Sequence, residues 1–457
     1  MRVVICGAGQ VGYGIAEQLA AEENDVSVID TSPELVQAVR DTLDVRGLVG
    51  HGAHPDILLQ AGIDQADMII AVTLYDEVNM VACQVAHSLF NVPTKIARIR
   101  SQAYLQPHWA DLFSSEHMPI DVIISPEVEV GEMVLRRLAA PGASDFVRFA
   151  NGEVVVVGID IEESCPLVDT PLAQLTELFP DLKAVVVGIF RDGRLFVPRS
   201  SDAMLIGDRV YVVCQSAQVR RTLGLFGHEE PEAHRVVIAG GGNIGLYVAR
   251  SLEARTRAKV KIIETSRDRA VEIADQLRRT VVLHGNSLDQ EILREADIQD
   301  ADTLVALTND DEVNILTCVM AKRLGCRSSM ALLNNRSYPA LTGALGIDAT
   351  VNPRGVTISK ILQHVRRGRI RGVHTIENGL AEVIEGEALE TSPLVGKPLR
   401  DLDLPDGIRV GAIYRGENVL IPDGSTRILP KDRVIMLVVA DRVRQVEQMF
   451  RVSLEFF

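Results

Sequence analysis

Val4-Ile5-Cys6-Gly7-Ala8-Gly9-Gln10-Val11-Gly12 decides how this chain reads. The apolar run Arg2–Cys6 passes into three glycines spaced Gly-x-Gly-x-x-Gly, then into a helical pattern over Val11–Ala21. In a strand–turn–helix of this kind the first glycine permits the tight turn and the second lets the backbone approach a pyrophosphate. The third lets the helix pack close on the strand. The N–H groups at the helix start then offer partial positive charge to phosphates. The spacing alone is a weak signal, and its context strengthens it. Val26-Ser27-Val28-Ile29 ends in Asp30, 18 residues beyond Gly12. A carboxylate there accepts hydrogen bonds from a ribose diol and repels a 2′-phosphate, which favours NAD(H) over NADP(H). The competing reading of Asp30 is a helix N-cap beside Thr31-Ser32-Pro33.

The same stretch returns. Val237-Ile238-Ala239-Gly240-Gly241-Gly242-Asn243-Ile244-Gly245 repeats it 233 positions later, and Val260–Ile263 ends in Glu264, 19 beyond Gly245. His51-Gly52 matches His284-Gly285 at the same displacement. Asp76-Glu77-Val78-Asn79 matches Asp311-Glu312-Val313-Asn314 at 235, and Gly207-Asp208-Arg209-Val210 matches Lys431-Asp432-Arg433-Val434 at 224. The drifting displacement indicates a tandem duplication with small insertions and deletions, joined near residues 228–234. A solenoid has a much shorter period. Arg267, close behind Glu264, softens the preference against a 2′-phosphate in the second copy.

Within each copy the texture changes partway. Apolar strands alternating with helical patterns indicate a parallel sheet. Short Val-rich strands and turns follow, as in Val154–Ile161, Ala184–Phe190 and Arg209–Cys214. The expected fold class is α/β: two Rossmann-like, doubly wound parallel-sheet lobes, each followed by a small α+β lobe. The boundaries read as 1–140, 141–228, 232–365 and 366–457, with helices near Pro126–Leu138 and Arg354–Arg367 joining lobe to lobe. Of the 457 residues 47% are hydrophobic and 4% aromatic, so the cores are aliphatic, as suits parallel sheets covered on both faces. A net charge of −15 argues against nucleic acid as a partner. Apolar runs such as Val154–Ile159 and Val434–Ala440 fall far short of the ~20 residues of a membrane helix. The chain enters a strand pattern at once, so no signal peptide is expected. The six cysteines are scattered without CxxC, which reads as reduced, mostly buried thiols and no structural metal. Cys83 and Cys318 match between copies, either as small buried residues or as redox sensors.

Ligands of open α/β sheets sit beyond the carboxyl ends of the strands. Met68–Val72 ends at Thr73-Leu74 and Thr303–Leu307 at Thr308-Asn309, which places those residues on the crevice. The alternative is a plain turn with Asp76 or Asp311 capping the next helix. Lys95–Ile99 brings Arg98 to the same rim, where it reaches a phosphate or makes a surface salt bridge; Asn334 is the matching residue of copy two. His51-Gly52 and His284-Gly285 are either turns or backbone approaches to an adenine edge. Arg366, Arg367, Arg369 and Arg371 form a basic run, a solvated face or a docking contact.

These marks, with the Gly207-Asp208-Arg209 turn and its partner Lys431-Asp432-Arg433, resemble RCK (KTN) domains, the regulators of potassium conductance, in the double-length form of bacterial Trk potassium uptake. The resemblance covers essentially the whole chain. It implies a non-enzymatic, cytosolic regulatory subunit, peripheral on the cytoplasmic face of the inner membrane. Its partner would be an integral membrane potassium-translocating subunit (TrkH/TrkG-like), and its assembly a homotetrameric ring. It implies NAD(H), and in some members ADP or ATP, at the N lobes. The contacts carried over are Gly7, Ala8, Gly9, Gln10, Val11, Asp30, Thr73, Leu74 and Arg98. The second set is Gly240, Gly241, Gly242, Asn243, Ile244, Glu264, Thr308 and Asn309. Two other classes stay open: an NAD-dependent dehydrogenase, which needs an acid or base facing the nicotinamide, and a soluble nucleotide-sensing scaffold.

Overall fold

The computed structural model describes residues 1–450 apart from 115, 180, 230–231, 256, 336 and 366–369. The first copy opens with β1 (Arg2–Cys6), α1 (Gln10–Ala21), β2 (Asp25–Asp30), α2 (Pro33–Thr42), β3 (Arg46–Val49), α3 (Pro55–Gln60), β4 (Met68–Ala71), α4 (Asp76–Phe90), β5 (Thr94–Arg98), β6 (Val122–Ile124) and α5 (Pro126–Ala139). Its strands form one sheet in the order β3-β2-β1-β4-β5-β6, with parallel pairs throughout. The order reverses between β1 and β4, which opens a crevice at their carboxyl ends. The first small lobe follows: β7 (Asp145–Phe149), β8 (Val154–Asp160), α6 (Leu172–Leu178), β9 (Ala184–Arg191), β10 (Arg194–Phe196), β11 (Arg209–Gln215) and α7 (Val219–Leu225), an antiparallel sheet ordered β10-β9-β11-β8-β7.

The second copy repeats the plan. Its first part is β12 (Arg235–Ala239), α8 (Asn243–Arg255), β13 (Lys259–Glu264), α9 (Arg267–Ala274), β14 (Val281–His284), α10 (Gln290–Glu295), β15 (Thr303–Ala306), α11 (Asp311–Arg323), β16 (Ser328–Leu332), α12 (Pro339–Thr342), β17 (Ala349–Val351) and α13 (Pro353–Val365), with sheet order β14-β13-β12-β15-β16-β17. Its second part is β18 (Ile370–Ile376), β19 (Ala381–Glu387), β20 (Ile408–Arg415), β21 (Asn418–Leu420), β22 (Arg433–Val439) and α14 (Val443–Met449), ordered β18-β19-β22-β20-β21. The α/β class read from sequence is the class observed. Among the described residues no helix is long and apolar enough to cross a membrane. Arg366, Arg367 and Arg369 of the basic run lie outside the described residues.

The chain divides into two compact units: Met1–Gly131 with 332–336 and Val351–His364, and the remainder, from Glu132 on. The connecting helices are exchanged between copies. In the first unit α13, from copy two, packs on α1 of copy one at Gly14, where a Cβ would lie 2.4 Å from Ile358 Cδ1. In the second unit Glu132 of α5, from copy one, accepts from Tyr247 Oη at 2.6 Å and from Arg255 Nη2 at 2.7 Å, both on α8 of copy two.

The second unit also joins the two antiparallel sheets face to face. Val154, Val156, Tyr211 and Val213 share one apolar core with Ala381, Val383, Ile435 and Leu437. Small residues stand opposite large ones. A Cβ on Gly188 would be 2.8 Å from Leu437 Cδ1, and one on Gly411 would be 2.6 Å from Val213 Cγ2 and 3.0 Å from Val187 Cγ1. Polar bonds surround this core. Tyr211 Oη and Arg209 Nη1 donate to Glu377 Oε1 at 2.6 and 3.1 Å, the Ala150 amide donates to Glu385, and His374 pairs with Asp145 at 3.0 Å.

The recurring Asp-Arg turn now has a physical account. Asp208 is buried and accepts two hydrogen bonds from Arg191, with a third from the Leu205 amide. Asp432 does the same with Arg415 and the Leu429 amide. These bidentate, charge-assisted pairs lock the turn against its sheet.

Replacing Gly411 with Val should overpack the shared core of the two antiparallel sheets. The expected loss is about 1–3 kcal/mol, read from the urea unfolding midpoint of the full chain. An unchanged midpoint would mean that the sheets are not pressed together at this point.

Candidate functional site

At the carboxyl end of β1 the backbone itself demands two of the three glycines. Gly7 has φ +111°, and a Cβ there would lie 3.0 Å from the Val72 carbonyl. A Cβ on Gly12 would lie 1.8 Å from the Gly7 carbonyl oxygen, so α1 could not approach β1 with any other residue. Gly240 (φ +105°) and Gly245 meet the same constraints, the latter at 2.1 Å from the Gly240 oxygen. The middle glycines differ. Nothing lies within 4 Å of a Cβ built on Gly9 or Gly242, and neither has a positive φ. Gly9 is also the N-cap of α1 and contributes no side-chain cap, so Gln10 and Val11 begin the helix without a side-chain acceptor at its N-terminus.

The carboxylates hold these loops. Asp30 Oδ2 accepts from the Ala8 amide at 2.6 Å and Oδ1 from the Ser32 amide at 2.9 Å. Glu264 reproduces both bonds, from Gly241 at 2.7 Å and Ser266 at 2.8 Å. Neither caps the following helix; Ser32 and Ser266 do that. The loop of copy two carries Gly241 where copy one has Ala8 because a Cβ there would lie 2.5 Å from Ile273 Cδ1.

Across the crevice, Thr73 and Thr308 are fixed by buried asparagines. Asn79 Oδ1 accepts from the Thr73 amide and hydroxyl, both at 2.8 Å, and its amide group donates to the Thr73 and Arg98 carbonyls. Asn314 holds Thr308 in the same way. Arg98 is half-buried; its Nη2 donates to the Thr73 carbonyl at 2.7 Å, and its Nε has no partner among the described residues. Burial and the neighbouring Arg100 lower its pKa, against the pull of Glu127 and Asp76. Leu74 (73% exposed) and Asn309 stand out on the rim, and Ile244 is half-buried on α8.

Two readings are corrected by register and one by hydrogen bonding. Ala97 lies opposite Ala71, and Ala331 opposite Ala306, so Arg98 corresponds to Leu332 and not to Asn334, which falls at the place of Arg100. Asp30 pairs with Val49 and Glu264 with His284, so His284 matches Val49; His51-Gly52 and His284-Gly285 are not equivalent. Asp76 accepts from the Arg100 and Ser101 amides and caps nothing, and in copy two Asp310, not Asp311, is the cap. Arg267 is exposed, whereas Arg269 reaches the glycine loop, its Nε donating to the Gly241 carbonyl at 2.9 Å.

All six cysteines are buried. Burial pushes the Cys318 thiol up to about 12 and raises that of Cys83 as well, which disfavours the thiolate that redox sensing requires.

The TrkA-N domain family matches residues 3–126 and 236–353, and the TrkA-C domain family residues 156–227 and 383–451. The chain belongs to the TrkA family. The Trk system potassium uptake protein TrkA of Azorhizobium caulinodans is 61% identical over 458 residues, covering 100% of both chains. That of Halomonas elongata is 42% identical over 461 residues, again covering 100% of both. Among solved structures, the GsuK RCK domain has a TM-score of 0.60 at 17% identity, over 98% of this chain and 94% of that one. The GsuK channel bound to NAD has a TM-score of 0.60 at 16% identity, over 98% and 78%. At these identities the likeness is one of fold, and the fold is a tandem pair of RCK units. The family is one of regulatory proteins of potassium uptake.

The Gly12→Ala variant should lose the seat of α1 on β1. Its thermal unfolding midpoint should drop clearly below that of the parent chain, since a 1.8 Å contact with backbone has no side chain that can yield. A parent-like midpoint would show that the helix start can shift.

Proposed function

We propose that the chain is the nucleotide-sensing regulatory subunit of a Trk-type potassium uptake system. It binds NAD(H) in the first crevice and NAD(H) or adenine nucleotides in the second. The observation that carries this is the open space over Gly9 and Gly242. The protein's own packing accounts for the outer glycines of each loop and leaves the middle ones unexplained. A backbone bared at the start of a helix, beside a carboxylate, is what a pyrophosphate and ribose require. Arg98 supports the reading in copy one: a half-buried guanidinium at the end of β5 places a cation at the crevice, where a phosphate would pair with it. The NAD bound by the GsuK channel, a protein of the same fold, supports it further.

The mechanism is differential binding. A nucleotide that fits one arrangement of the lobes better than another shifts their equilibrium by the ratio of its two affinities. The membrane partner is a potassium-translocating subunit of the TrkH/TrkG kind, engaged from the cytoplasmic face of the inner membrane by a homotetrameric ring. In this reading no bond of the nucleotide is broken, and the crevices need only grip and release.

Calorimetry on the full chain with NAD, NADH, ADP and ATP tests this directly. Gly9→Val and Gly242→Val put a side chain into the open spaces, where a Cβ meets no atom within 4 Å, so the fold should hold. NADH affinity at the plugged crevice should fall by more than about tenfold, ~1.4 kcal/mol. Undiminished NADH binding by the doubly plugged chain would refute the proposed site.

A further inference from the structure

The two crevices exchange their cations. In copy one the cation is Arg98, at the end of β5, and the first turn of α2 presents Leu35, an exposed residue at 40%. In copy two the residue at the place of Arg98 is Leu332, 4% exposed, and the residue at the place of Leu35 is Arg269. The second equivalence follows from the caps: Ser32 and Ser266 each begin their helix, and Leu35 and Arg269 each donate the backbone amide to that serine. Arg269 is 24% exposed. Its Nε donates to the Gly241 carbonyl at 2.9 Å, its Nη2 lies 3.5 Å from Asn243 Oδ1 at the start of α8, and its Nη1 pairs with Glu272 at 2.8 Å. The guanidinium therefore spans the glycine loop from the carboxylate side to the helix start.

The side on which the cation sits has a chemical meaning. A doubly wound sheet of this order is two mononucleotide-binding halves, which share a dinucleotide across the point where the strand order reverses. Arg98 belongs to the half built on β4–β6, and Arg269 to the half built on β12–β14. We propose that Arg269 is the phosphate-binding cation of the second crevice, which therefore grips the adenosine-phosphate half of its ligand and accepts ADP about as well as NAD(H). The first crevice, with its cation on the far half and Leu35 on the near one, selects the full dinucleotide. This rests on the reading of both crevices as nucleotide sites.

Three further features fit. Leu332 offers the second half of a dinucleotide no charge in copy two. The Gly241 carbonyl holds Arg269 Nε at 2.9 Å, which fixes the guanidinium against the loop. Glu264 is already engaged by the Gly241 and Ser266 amides, and it makes no ion pair with Arg269 among the described residues. With Nε on the Gly241 carbonyl and Nη1 on Glu272, Nη2 beside Asn243 is the donor left to turn to a phosphate at the helix start.

Calorimetry on full-length chains, each with one crevice plugged, separates the sites. With Gly242→Val, only the first crevice is open. NADH should bind more than about tenfold tighter than ADP, and Arg98→Leu should erase that preference. With Gly9→Val, only the second is open. ADP and NADH should bind within about threefold of each other, and Arg269→Leu should weaken both by about tenfold or more. Arg269→Gln keeps a donor for the Gly241 carbonyl and removes the charge. If Arg269 served only to staple the loop, Gln would restore ADP binding; as a phosphate ligand it must not. Restored binding in the Gln variant, or a strong NADH preference in the second crevice, overturns the proposal. Absence of all nucleotide binding in the unplugged chain would instead overturn the nucleotide reading itself.

Discussion

The Ala8 amide donates to Asp30 at 2.6 Å, and the mouth of the first sheet depends on that bond. It ties the glycine loop to the end of the neighbouring strand, while the missing Cβ of Gly12 lets α1 close onto the Gly7 carbonyl. Loop, strand end and helix start are then fixed relative to one another, the kind of preorganisation from which the proposed site would gain. Glu264 and Gly241 recreate the bond at 2.7 Å with a longer side chain, and the loop makes room by giving up its own methyl group. The two copies have drifted in residue type while keeping the same hydrogen bonds, which points to the loop geometry as the quantity under constraint.

Around these mouths the duplication has been put to structural use. Each connecting helix serves the other copy: α13 sits on α1 at Gly14, and α5 reaches α8 through Glu132. The two antiparallel sheets bury a common core in which Gly188 faces Leu437 and Gly411 faces Val213. Small opposite large lets the two sheets approach closely at both places.

The parallel sheets, the glycine loops and the two carboxylates were legible in the sequence because each rests on local pattern: an apolar run, a fixed spacing, an acid at a strand end. The cation of the second crevice was not. Arg267 is nearer Glu264 in sequence, but helical periodicity points it outward, and Arg269, two positions on, turns to the loop. The equivalence of Arg98 was missed for a related reason. Small insertions shift the displacement between copies, and only the pairing of β5 with β4 and of β16 with β15 shows that Leu332 takes that place. His51 and His284 look alike in sequence and differ in register by two.

What the sequence by itself determined is the architecture of each copy, since strand and helix periods and the glycine constraint act over a few residues at a time. The tertiary structure alone decided which side of each crevice carries the positive charge, which helix serves which copy, and how the two small sheets meet. Those outcomes depend on strand register and on side chains brought together from separate elements of the chain, and no local pattern encodes such meetings.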